Sequence, residues 1–275
     1  MFAITKAAGD SAFERMARSH PLWSDAQIVR ALCAELLADA EARPPVNVEL
    51  LASLRGIARI HIVPLPWAGS LSHEDGRLIA RISEDDAYPR QRFSILHETI
   101  HTFLPGFDER VQLRCKPGRA RERAEVLCDI GAAELLLPRR AFAHDLATAG
   151  LSLEGIETLA SGYEASLEAT AIRAVDLTPE PAMLLVLGTD ARRSDETDPG
   201  SALSVSYAHR SGLWPAVPAG TGVSEDSPLA RAFEGEAVDE PWDLSELIPA
   251  FARPVRIMAR AYGRQRRVLA IITRL

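Results

Sequence analysis

A chain of 275 residues can bury a substantial core and has room for one large domain or for two. Its net charge of −7 argues against a dedicated nucleic-acid-binding protein, because such proteins usually present a basic surface. No run approaches the roughly 18 apolar residues that a membrane-spanning helix needs. Three cysteines and an N-terminus without an apolar leader predict reduced thiols and a cytoplasmic location.

The first part of the chain is predicted to be helical and then to form a small β-ribbon. Ser24 and Asn47 are typical helix N-caps, and Asp75-Gly76 is a turn signal between two apolar runs. The edge of such a ribbon could bind an extended peptide or could only pack, and the pattern fits both. The predicted elements are helices over 25–42 and 48–56 and strands over 58–64 and 78–82.

Residues 91–105 read QRFSILHETIHTFLP and predict a helix that ends at the proline. His97 and His101 lie four residues apart, so both imidazoles lie on one face of that helix. Two imidazoles at this spacing can bind one Zn²⁺, and Glu98, about 100° around the helix, can accept a proton from water beside the metal. The alternative is a pair of helix-face histidines that bind nothing.

A third metal ligand is expected from residues 119–138, RARERAEVLCDIGAAELLLP, which predict a second helix. Glu125 and Asp129 lie four residues apart and share a face, so one carboxylate can bind the metal while the other holds an imidazole N–H. Cys128 is an alternative ligand, because a thiolate also binds zinc well. Glu122 is a further alternative.

Three short helices are predicted after residue 138, and the last two have the look of a helix-turn-helix. Acidic neighbours make DNA reading improbable, so a packing unit or a docking site for a protein substrate is the better interpretation. These acidic residues are Glu154, Glu157, Glu164 and Glu168. The helices are predicted over 140–149, 153–161 and 166–175.

A change in composition at residues 178–181, TPEP, predicts a boundary between a domain over 1–177 and a domain over 178–275. Strand patterns dominate the second part, and the last two read as a hairpin through Gly263-Arg264. The predicted elements there are strands over 182–188, 203–209, 254–262 and 267–273 and a helix over 227–233.

The spacing Q-R-F-x-x-x-H-E-x-x-H, followed by E-x-x-x-D and A-A-E-L-L-L-P, resembles the ImmA/IrrE family of metallo-endopeptidases over residues 47–175. Thr99-Ile100 replaces the more usual Leu-Gly, and Cys128-Asp129 stands where Ala-Asn is common. The resemblance implies an α+β fold: a helix-rich, zincin-like metallopeptidase domain with a small β-ribbon, followed by a smaller α+β, GAF-like sensor domain.

The same resemblance implies that His97, His101 and Glu125 bind zinc, with Mn²⁺ as an alternative in the cell, and that Glu98 is the general base. Asp129 would then hold an imidazole in place. It also implies a limited cut in a helix-turn-helix transcriptional repressor, in the regulation of stress responses or mobile elements. Neither a direct nucleic-acid partner nor a membrane partner is expected.

A non-catalytic regulatory module with a structural or vestigial metal is the alternative function. Glu98 argues against it, because a structural site has no need of a base. The donor to the oxyanion stays open between His73, expected in the turn of the ribbon, Tyr88 and backbone N–H groups.

Overall fold

The computed structural model describes residues 10–106, 112–113, 123–189, 203–263 and 266–275. The chain forms two compact units, one of Met1–Arg139 with Gly162–Ser166 and the other of Arg140–Ser161 with Leu167–Leu275. Most residues of the helices predicted after residue 138 therefore belong to the second unit. A domain boundary at 177/178 stays a prediction.

Each helix of the first unit begins where the sequence offers a cap. Ser11, Ser24 and Asn47 accept hydrogen bonds from backbone N–H groups of the first turns of their helices. Pro89 lies in the first turn of the fourth helix, where its missing N–H costs nothing. The helices are α1 (Ala12–Ser19), α2 (Asp25–Asp39), α3 (Val48–Leu54), α4 (Tyr88–His101) and α5 (Arg123–Leu136).

The predicted ribbon is part of a four-stranded sheet. Its strands are β1 (Ile57–Val63), β2 (Gly69–Glu74), β3 (Arg77–Ser83) and β4 (Gln112–Leu113), in the order β1-β3-β2-β4. The two predicted strands, β1 and β3, are parallel neighbours, and β2 pairs with β3 through a turn at Asp75 and Gly76, both with positive φ.

Two details of that prediction are wrong. β2 was not predicted, because its sequence, GSLSHE, has too few apolar residues to show a strand period. His73 belongs to this strand, opposite Leu78, and not to the connecting turn.

Helices α4 and α5 pack closely because a glycine lies at their contact. A Cβ atom added at Gly131 would lie 2.6 Å from the Ile100 side chain. Cys33 of α2 contacts the same part of α5, with its Sγ 3.6 Å from the Gly131 carbonyl oxygen. The two helices that carry the candidate ligands are therefore held at a short separation within one core.

The second unit is built on a five-stranded antiparallel sheet. Its helices and strands are α6 (Arg139–Ala149), α7 (Leu153–Tyr163), α8 (Leu167–Leu177), β5 (Ala182–Thr189), β6 (Leu203–Arg210), α9 (Pro228–Glu234), β7 (Val238–Asp243), β8 (Pro254–Tyr262) and β9 (Arg267–Arg274). The strand order is β6-β5-β9-β8-β7, and residues of every strand enter one buried apolar cluster.

Most elements of this unit match their predictions, with one exception. β7 was not predicted, because its sequence, VDEPWD, is acidic and contains a proline. Pro241 is tolerated because β7 is an edge strand, where a missing N–H is not needed for pairing. The connection between β8 and β9 was predicted at Gly263-Arg264, and Arg264 lies outside the described residues.

The acidic residues of α7 and α8 bind side chains of the second sheet. Arg260 of β8 lies 2.7 Å from both Glu154 and Glu157, and Tyr262 donates a hydrogen bond to Glu157. Arg267 of β9 lies 2.9 Å from Glu168. The helices therefore pack on the sheet within this unit, in agreement with the packing interpretation of the helical pair.

Candidate metal centre

Helix α4 carries two histidines and a glutamate that are buried in its last turns. His97 and Glu98 are fully buried, and His101 is 2% exposed. The two imidazole rings lie with their centroids 5.2 Å apart at an interplanar angle of 68°. Two imidazoles on one helix face, shielded from solvent, are therefore available to a single cation, as the four-residue spacing predicts.

Helix α5 brings a carboxylate to both imidazoles. Glu125 Oε2 lies 3.2 Å from His97 Nε2, and Glu125 Oε1 lies 3.5 Å from His101 Nε2. Glu125 lies in the first turn of α5, and its side chain is 18% exposed. It therefore lies between the two buried imidazoles and solvent. The structure thus brings together the three residues that the resemblance implies as ligands.

These separations fit a divalent cation. Nitrogen and oxygen donors at 2.0–2.1 Å around a tetrahedral Zn²⁺ stand about 3.3 Å from one another. The Glu125 oxygens lie at nearly this distance from each imidazole nitrogen. The donor set of two imidazoles and a carboxylate also suits the metal chemically.

Asp129 holds the first of the two imidazoles. Its Oδ1 lies 2.9 Å from His97 Nδ1. A carboxylate accepts hydrogen bonds, so this contact favours the tautomer that donates from Nδ1 and would leave Nε2 to bind a metal. This is the usual carboxylate–histidine arrangement beside a metal, and it leaves Asp129 on the far side of the ring.

Cys128 is a second donor from α5. Its Sγ, one nitrogen of His97 and one nitrogen of His101 all lie within 4.8 Å of one another. The Cys128 side chain is fully buried. Glu125 has its two oxygens 3.2 Å and 3.5 Å from the imidazole nitrogens, so α5 offers both a carboxylate and a thiol to a cation at this site. Glu122, the remaining alternative, lies outside the described residues.

A glycine of β2 determines the surroundings of Glu98. A Cβ atom added at Gly69 would lie 2.9 Å from Glu98 Oε1 and 3.2 Å from Ile82 Cδ1. The start of β2 therefore approaches the carboxylate more closely than any other residue type would allow. Sequence reasoning missed this residue, because nothing in the surrounding letters marks a glycine that contacts a side chain of a later helix.

Arg92, in the Q-R-F segment that precedes the two histidines, has a structural role. Arg92 is 4% exposed, donates a hydrogen bond to the Val46 carbonyl oxygen at 2.8 Å and lies 3.0 Å from Glu164. Tyr88 also donates to Glu164, at 3.1 Å, and its side chain is largely exposed. These contacts anchor the first half of α4 and give Tyr88 a partner away from the metal ligands.

Part of the chain is similar to known proteins. Residues 58–175 match the model of the IrrE N-terminal-like domain. The radiation response metalloprotease IrrE of Deinococcus deserti is 28% identical over 151 residues, which are 53% of each chain. The protein of the same name from Deinococcus radiodurans is 26% identical over 196 residues, 67% of this chain and 59% of that protein.

A solved structure is similar in fold. It is a Mycobacterium tuberculosis transcriptional regulator with a TM-score of 0.57 and 13% identity, and the match covers 96% of this chain and 80% of that one. The chain spans between half and three-fifths of the length of the two Deinococcus proteins.

The H-E-x-x-H helix beside a carboxylate-bearing helix defines a metallopeptidase-like centre. The match of residues 58–175 to the IrrE N-terminal-like domain, together with the two Deinococcus relatives, supports membership of the ImmA/IrrE family. Among the described residues, no helix has the length and apolar character to cross a membrane.

Proposed function

We propose that the protein is a zinc-dependent endopeptidase that makes a limited cut in a protein partner. The observation that supports this most is the Glu125 carboxylate at 3.2 Å and 3.5 Å from the two imidazoles, on a neighbouring helix. The remaining support is Glu98, a buried carboxylate between the two histidines in sequence. A structural metal site has no use for this residue.

In the proposed mechanism, His97, His101 and Glu125 hold the metal. Zn²⁺ at this position supplies a Lewis acid, which lowers the pKa of water and polarises a carbonyl group. Glu98 takes the proton of the attacking water as the oxygen adds to the peptide carbonyl carbon, and returns it to the amine nitrogen as the C–N bond breaks. Asp129 keeps the His97 ring oriented throughout.

The same site could take Mn²⁺, because imidazole and carboxylate donors bind both ions. The donor to the oxyanion is not assigned. His73 lies on β2, and Tyr88 is bonded to Glu164, so backbone N–H groups remain the simplest candidates.

We infer that an extended peptide binds near the start of β2. Gly69 brings this strand to the Glu98 carboxylate, so a peptide running along it would lie beside the base. β4 pairs with β2 at Ser70 and Leu71, and strand addition there would have to displace it or add beyond it.

The family suggests the kind of partner. The two relatives are named radiation response metalloproteases, and we propose a helix-turn-helix repressor as the substrate, cut in the cytoplasm to change transcription under stress. The second unit, with its antiparallel sheet, is proposed as a GAF-like sensor of the signal.

The test mixes the purified chain, loaded with Zn²⁺, with purified helix-turn-helix repressors from the same genome and follows cleavage by mass spectrometry. We expect a single cut that a chelator abolishes. Glu98→Gln should keep the metal and lose cleavage, while Glu35→Gln, an exposed carboxylate on α2, should change neither. Binding of a repressor without chelator-sensitive cleavage, by the wild type and by Cys128→Ala alike, would instead establish the non-catalytic module.

A further inference from the structure

Cys128 is a buried thiol that the proposed mechanism does not use. Its Sγ lies within 4.8 Å of a nitrogen of both His97 and His101, and its side chain has no exposed surface. Cys33 is equally buried, but its Sγ contacts the Gly131 carbonyl oxygen on another part of α5. Among the described residues, Cys128 of α5 and Cys33 of α2 are therefore both buried, and only Cys128 belongs to a group that could hold a metal ion.

We propose that Cys128 is a fourth protein ligand, which closes the metal site in its resting state. Glu125 and Cys128 lie three residues apart on α5, so their side chains are neighbours on one helix face. Sulfur and nitrogen donors around a tetrahedral Zn²⁺ stand about 3.6 Å apart, and the Sγ already lies within 4.8 Å of a nitrogen of each imidazole. Two imidazoles, a carboxylate and a thiolate then complete the tetrahedron.

A closed site would be latent. Four protein donors leave no position for water, as in structural zinc sites, and Glu98 then has no activated water to deprotonate. Cys128 gives its thiol proton to solvent when it binds and takes one up when it leaves, so the exchange needs no oxidant or reductant. This inference rests on the proposed function, since latency has meaning only for a site that otherwise works on water.

The test uses the full chain loaded with Co²⁺ in place of zinc. The wild-type protein should show an intense near-ultraviolet thiolate-to-cobalt charge-transfer band. Cys128→Ala should bind Co²⁺ and lose this band, whereas Cys33→Ala and Cys115→Ala should keep it. Absence of the band from the wild type, or its persistence in Cys128→Ala, would overturn the proposal.

X-ray absorption of the zinc-loaded wild type gives a second readout that needs no variant. One sulfur neighbour at about 2.3 Å supports the proposal, and a shell of nitrogen and oxygen alone contradicts it. Different results would contradict the endopeptidase function and the Cys128 ligand. A chain with the sulfur ligand that cleaves no repressor, even as Cys128→Ala, loses the endopeptidase function, and a chain that cleaves without a sulfur ligand loses the closed site.

Discussion

His97 Nδ1 lies 2.9 Å from Asp129 Oδ1, so a residue of α5 fixes the ring of a residue 32 positions earlier on α4. The ring has two nitrogens, and this contact determines which of them faces the Glu125 carboxylate. Helix α4 thus provides the ligand His97, and helix α5 provides the carboxylate that orients its ring.

Replacement of Asp129 should weaken metal binding without unfolding the chain. Loss of a carboxylate partner of a ligating histidine typically costs about 10–100-fold in metal affinity, and we expect that range for Asp129→Ala. Asp129→Asn should lose less, because its amide oxygen can still accept from Nδ1. Competition with a chromogenic zinc chelator measures this, with Asp39→Ala on the exposed end of α2 as the control. Unchanged affinity in Asp129→Ala would show that the contact does not orient a ligand.

Gly69→Ala should slow cleavage while leaving metal affinity unchanged. The added Cβ would stand 2.9 Å from Glu98 Oε1, so the carboxylate has to move. A displacement of about 1 Å in a catalytic group can cost about 100-fold in rate, and we expect kcat to fall by that order. Gly162→Ala is the matched control, since its Cβ meets nothing within 4 Å. Equal kcat for both variants would mean that the approach of β2 to Glu98 has no catalytic consequence.

Gly131→Ala should disturb the packing of α4 on α5. Its Cβ would lie 2.6 Å from the Ile100 side chain, and overpacking of this kind costs about 1–3 kcal/mol. Ile100→Ala removes the obstructing atoms, so the double variant should lose less stability than the sum of the two single variants. Urea unfolding of the metal-free chain measures all four proteins. Simple additivity would show that the two residues do not compete for space.

Much of this arrangement follows from the sequence. Caps at Ser24 and Asn47, and apolar residues at helical spacing, predict the helices of the first unit, and all of these are present. The spacing of His97 and His101 predicts that they share one face of α4. The spacing of Glu125 and Asp129 predicts that they share one face of α5, and both carboxylates contact His97. Local periodicity is sufficient for such features, because they depend on one helix at a time.

The rest depends on contacts between elements that are distant in sequence. β2 has too few apolar residues to be predicted from its sequence pattern. The approach of Gly69 to Glu98 depends on how that strand packs against α4. The choice between Glu125 and Cys128 is likewise a matter of distances of a few ångströms, which helical spacing alone does not resolve. These are the positions at which the structure adds most to the hypothesis.

The second unit should lose stability in alkaline solution through Tyr262. Burial of the ring, together with the hydrogen bond that its hydroxyl donates to Glu157 Oε1 at 2.8 Å, raises the pKa of Tyr262 above its usual range. An unfolded tyrosine loses its proton near pH 10, so above that pH the unfolded chain gives up a proton that the folded chain retains. The free energy of unfolding therefore falls as pH rises from about 10, and below that pH this contribution is fully present.

Tyr262→Phe removes this dependence along with the hydrogen bond. We expect the variant to be less stable than wild type at pH 8, by about 1 kcal/mol for the lost bond, and the difference to shrink as the pH is raised above about 10. Thermal unfolding of both proteins across this interval measures the difference directly. Tyr207, whose pKa burial and Glu168 also raise, is present in both and contributes equally to both curves. A difference that stays constant with pH would mean that Tyr262 titrates alike in the folded and unfolded chain, and that Glu157 holds it no more strongly than water does.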